Sequence, residues 1–143
     1  MPVEERIRHM LEFLQLDLKP FAAEEWLDFL LELERLDDHW ADRLQGLNAK
    51  GHDLGRWERP FEQLLVYLLC RHLPGALEDD DFCGRIAYVV FAWNLVRSIC
   101  AAEEKLDFEG IVETCRLYSS ELEYSDENIA AIIERLHKIN PEL

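Results

Sequence analysis

Apolar residues recur along most of this chain at steps of three and four, the spacing of one face of an α-helix. Val3, Ile7, Met10, Leu11 and Leu14 predict a first helix over 3–15, with Glu4 and Arg8 as an i,i+4 pair on its wet side. Pro20 disfavours helix at Lys19, which makes 16–20 a joint. Trp26, Leu30, Leu33, Leu36 or Asp37, Trp40, Leu44 and Leu47 predict one long second helix over 21–47, stopping near Gly46. The stretch 48–55, with two glycines among small polar residues, reads as a surface loop. Phe61, Leu64, Leu65, Leu68 and Leu69 predict a third helix over 59–73, with Pro60 in its first turn and Pro74-Gly75 after its end. Further on, Phe108, Ile111, Val112, Cys115, Tyr118 and Leu122 mark a helix over 108–122 capped by Asp107. Ile129, Ile132, Ile133 and Leu136 mark a last one over 126–138 capped by Ser125.

The fourth helix, 82–102, has a different pattern. Ile86, Tyr88, Val89, Val90, Phe91, Trp93, Leu95, Val96 and Ile99 make it apolar on nearly every side, and such a helix belongs in an interior. The acidic run at 78–81 before it reads as capping and dipole complementation rather than a cation site. No strand pattern and no internal repeat is visible. The predicted fold is all-α, a compact bundle of about six helices around the central apolar one, forming a single domain over 1–143.

Composition narrows the partners. The 143 residues are 49% hydrophobic and 31% charged, which is globular rather than disordered. Thirty acidic against fifteen basic residues leave a net charge of −15. That charge repels phosphate backbones, so no nucleic-acid partner is expected, while a basic or lysine-bearing protein partner or substrate would be attracted. The apolar run around 86–93 is far short of the ~18 residues that suggest a membrane span. No secretory leader pattern opens the chain. Cys70, Cys83, Cys100 and Cys115 form no C-x-x-C pair and read as free thiols of a reducing compartment. A cytoplasmic location without a membrane partner is the expectation; oligomeric state is left open.

Candidate chemistry is sparse. There is no glycine-rich nucleotide cradle, no H-E-x-x-H and no G-x-S-x-G, so no catalytic residue is assigned. No ligand spacing suggests zinc or iron, and neither a metal nor a cofactor is expected in the chain itself. His9, His39, His52, His72 and His137 are scattered singly, and the His52-Asp53 neighbours lack a third orienting group. Arg97 is the exception. On a helical wheel it falls between Ile86 and Val90 in an apolar sector, so it is expected to be mostly buried and to need a carboxylate. Glu62 is the first candidate and Glu121 the second. Such a pair either fixes helix register or belongs to a polar binding pocket of Glu62, Tyr67, Tyr88, Trp93, Asn94 and Arg97.

Several of these stretches resemble a known family. Residues 61–71 (FEQLLVYLLCR) resemble the E-N-Y-L-V-Y-x-L-F-type helix of bacterial flagellin lysine-N-methylase-like proteins. Residues 88–97 (YVVFAWNLVR) look like that family's Y-A-L-I-R helix, and 118–125 (YSSELEYS) are similar to its S-R-E-I-E-H-S ending. The stretch 26–47 looks like the helix that precedes them. Gln63 and Leu64 stand where the family tends to have Asn and Tyr, and Tyr124 where it often has His. The cysteine-rich cluster of the family's N-terminal half has no counterpart here, so the resemblance covers its C-terminal helical part, roughly 26–136.

The resemblance implies transfer of methyl from S-adenosylmethionine to protein lysine as the family activity. It implies a helical accessory or substrate-recognition domain, not catalytically complete alone, as the role of this chain. The alternative is an unrelated acidic helical domain that binds a basic partner, and a third reading is a small self-sufficient enzyme with its pocket around Arg97.

Overall fold

A computed structural model describes residues 1–48 and 51–143. Among them every regular element is helical, so the all-α class holds. Helix α1 spans Val3–Phe13 and buries Val3 and Ile7; Gln15, at φ 56°, turns the chain out of it in the left-handed region. Helices α4 (Glu58–His72), α6 (Phe82–Ala101), α7 (Phe108–Tyr118) and α8 (Asp126–Ile139) start within a residue of their predicted positions. The caps are where the sequence puts them. Asp107 accepts the Gly110 N–H at 2.7 Å, and Ser125 Oγ accepts that of Asn128 at 3.1 Å. Ala49 and Lys50, part of the predicted loop, lie outside the described residues.

The long second helix is corrected. It is two helices, α2 (Ala23–Glu32) and α3 (Asp38–Leu44), with an extended joint over 33–37 between them. Locally, Asp37 captures the His39 N–H at 2.9 Å, an aspartate bond that competes with helix continuation. From a distance, Glu121 Oε2 accepts the Leu36 N–H at 2.9 Å, and Asn128 Nδ2 donates to the Glu34 carbonyl at 3.5 Å. Two backbone groups that a continuous helix would satisfy internally are thus served from elsewhere in the chain.

The acidic run also forms structure of its own. A one-turn helix α5 (Ala76–Asp79) ends on Asp80 at φ 55°. Asp81 then caps α6 through the Gly84 N–H at 2.9 Å, and Asp79 pairs with Arg85 at 2.7 Å. Helix α7 ends differently from its prediction. Over Ser119–Glu123 its last turn widens, with the Tyr124 N–H bonding five residues back to Ser119.

The helices form two compact units. The first takes residues 1–20, 55–93 and 131–143, and the second 21–54 and 94–130. In the first, α1 packs on α4, and Phe61, Leu68, Ile86, Val89 and Ile132 are fully buried. In the second, α2 and α3 pack on each other and α3 on α7, burying Leu30, Trp40, Leu44, Leu95 and Leu117. Among the described residues no helix is long and apolar enough to cross a membrane.

The broken helix separates two residues that its periodicity put on one stripe. Trp40 is 1% exposed and Leu36 is 82% exposed. Trp40→Ala is expected to cost about 3–5 kcal/mol in denaturant melts, and Leu36→Ala under about 0.5 kcal/mol. Equal losses would restore the continuous helix.

Candidate functional site

Of the six residues singled out from the sequence, two are core and one is in an ion pair. In the first unit, Tyr88 is fully buried, with its ring 4.7 Å from that of buried His72 and 6.2 Å from Phe91. Trp93 is equally buried, and its Nε1–H reaches the Phe61 carbonyl at 2.9 Å, which gives the indole its one polar requirement. Glu62 is half exposed and pairs with Arg6 at 3.1 Å. Tyr67 faces outward on α4.

Asn94 and Arg97 belong to the second unit, and each is largely covered with a minor part left exposed. The reason lies in their spacing. Val90, Asn94, Arg97 and Ser98 follow one another by four, three and one along α6, and all four are only partly covered. This stripe is a partly open side of the second half of α6. Glu121, the second carboxylate considered for Arg97, spends Oε2 on Leu36.

The second unit holds a groove that no motif announced. About 380 Å³ in volume, it is lined by His39, Asp42, Arg43, Glu103, Glu113 and Leu117. Helix α3 contributes the first three residues and α7 the last two. Arg43 is fixed at its inner edge, donating to Thr114 Oγ1 at 2.5 Å and lying 3.7 Å from Glu103. Thr114 in turn donates to the Gly110 carbonyl at 2.9 Å, so the guanidinium is tied to the backbone of α7. Arg116 grips Glu113 with two bonds, of 2.6 and 2.9 Å, and so holds its carboxyl below the usual carboxylate range. The His39 backbone N–H does the same for Asp37.

Charge is unevenly shared. The second unit carries eighteen acidic and six basic residues, a net of −12 out of −15, while the first carries twelve and nine. A cleft of one sign focuses the field and raises the local concentration of counter-charged ligand.

The second unit also buries polar groups. Glu121 is 3% exposed, on the widened turn that follows α7. Asn128, also buried, donates to the Glu121 carbonyl at 3.0 Å as well as to Glu34. Asn128 was not legible as a site residue, and its place three residues after Ser125 signals only a helix start.

The thiols offer no nucleophile here. Burial pushes Cys100 up to about 12, and burial followed by the nearby Glu123 raises Cys115 to about 11. Among the described residues, no three His, Cys, Asp or Glu side chains come together in a way that would hold a metal ion.

The sequence matches a known family over almost the whole chain. The sequence model of the FliB lysine N-methylase C-terminal domain matches residues 3–142, and the chain belongs to that family. No curated protein matches the chain. No solved structure matches it either.

Two measurements check the electrostatics. At about pH 8, a thiol-alkylating reagent is expected to modify exposed Cys70 in the native protein, while Cys100 and Cys115 react only on unfolding. Asp37 has a depressed folded value, so its contribution to stability is present above the unfolded value, about 4, and is lost as pH falls through the folded one. Asp37→Ala should therefore lower the melting temperature at neutral pH, and the gap to wild type should close in acid. A gap that persists at acid pH would assign the loss to packing.

Proposed function

We propose that this chain is the recognition domain of a lysine N-methylase-type protein, binding a lysine-bearing protein segment without completing methyl transfer alone. The observation that carries the reading is the placement of nearly all the net negative charge in the unit that also holds the groove. The family match supports it, since the matched model is the C-terminal domain of an enzyme named for acting on lysine. A lysine side chain suits such a groove, since its charged tip can meet the carboxylates of Asp42, Glu103 and Glu113. Nothing favours the reading as a domain unrelated to this family. In this proposal S-adenosylmethionine is not a ligand of the chain by itself, and nucleic acid is not a partner.

Calorimetric titration tests both halves. The 143-residue chain is expected to bind a lysine-bearing peptide more weakly as salt rises, and to show no saturable binding of S-adenosylmethionine. A dissociation constant for S-adenosylmethionine in the low micromolar range, about −8 kcal/mol, would overturn the accessory role. Peptide binding that ignores salt, or no peptide binding, would overturn the recognition role.

A further inference from the structure

Glu121 has an unmet requirement. Its Oε2 accepts the Leu36 N–H at 2.9 Å, while its Oε1 is sealed from solvent and meets no hydrogen-bond donor among the described residues. A carboxyl oxygen closed off from bulk solvent is stabilised by a hydrogen-bond donor, and the described residues supply none to Oε1. The residue also sits in the widened turn Ser119–Glu123, and such i→i+5 turns are uncommon and recur at functional sites.

What lies against this carboxyl is the joint over 33–37. Glu34, Arg35 and Leu36 are all exposed, so the joint buries little apolar surface. It is held to its surroundings by backbone groups, the Leu36 N–H on Glu121 and the Glu34 carbonyl on Asn128. A segment with so few buried contacts opens at low cost. Glu113 and Leu117 line the groove, and Glu121 follows at the next four-residue step. His39, on the facing side of the groove, comes two residues after the joint ends.

We propose that Glu121 takes the primary ammonium of a lysine side chain, which enters beneath the 33–37 joint and supplies the donor that Oε1 lacks. This rests on the reading of the second unit as a lysine-recognition surface. The ammonium carries three N–H donors on a compact charge at the end of a flexible stem. Glu121 is a binding residue in this account and carries no step of methyl transfer.

The test is a binding cycle on the full chain. A lysine-bearing peptide and its acetyl-lysine counterpart are titrated into wild type, Glu121→Gln and, as a charge control, exposed Glu109→Gln, with melting temperatures recorded for each. Glu121→Gln is expected to weaken the lysine peptide at least tenfold and to leave the acetyl-lysine peptide unchanged. Glu109→Gln should weaken the lysine peptide less than twofold. Equal binding of the lysine peptide by a folded Glu121→Gln protein would overturn the assignment while leaving the recognition role standing. No binding by wild type would remove both. If Glu121→Gln does not fold, amide exchange in wild type decides. Saturating lysine peptide, which adds a donor at Oε1 and leaves the Oε2 bond in place, should raise protection of the Leu36 N–H, and protection that is unchanged or lowered would overturn the proposal.

Discussion

Helix α6 has almost no face to give to water, and the rest of the chain answers that constraint. Each unit takes its own stretch of the helix. The first includes Ile86, Tyr88 and Trp93, and the second Leu95, Val96 and Ile99. Burying residues of this size contributes roughly 1.5–3 kcal/mol apiece, so the helix is a large source of apolar burial in each unit. Its polar atoms are handled one at a time. The Trp93 indole N–H is bonded to a backbone carbonyl, and Asn94, Arg97 and Ser98 fall on a stripe that stays partly open.

A different logic governs the charges. Many are spent in local pairs that fasten one turn to the next, such as Arg8 with Glu12, Arg85 with Asp79 and Arg116 with Glu113. Exposed pairs of this kind stabilise by about 0–1 kcal/mol each, so their number says little about stability. What matters for function is the surplus. Six basic residues cannot neutralise eighteen acidic ones, and the second unit is left with a field that draws cations toward the groove between α3 and α7. Arg43, tied to Thr114, gives that groove a fixed positive group on an otherwise acidic wall.

The joint between α2 and α3 connects fold and site. A helix that ran through it would have kept its own hydrogen bonds. The chain instead leaves Leu36 N–H and Glu34 C=O to be satisfied by Glu121 and Asn128, two buried polar side chains. Placing polar groups in a core costs stability unless each is paired, and Glu121 is paired at one oxygen only. A strained or incompletely satisfied spot beside a groove is where sequence rules for folding give way to the demands of a site.

Much of the fold was legible from the chain itself. Helices α1, α4, α6 and α8, and the start of α7, follow from apolar periodicity and from caps such as Asp107 and Ser125, because those signals act over three or four residues. The order of those helices also carried the family resemblance that the match over residues 3–142 bears out. The tertiary structure alone decided the break at 33–37. Trp26 to Leu47 keeps a helical rhythm throughout, while the groups that hold the break open lie 85 and 94 residues away. It also decided which of Tyr88, Trp93, Asn94 and Arg97 would be core and which would stay near water, since a helix apolar on most sides does not say which side its neighbours leave uncovered. Local spacing determines where a chain coils; which backbone groups and faces are satisfied from afar depends on what the fold brings beside them.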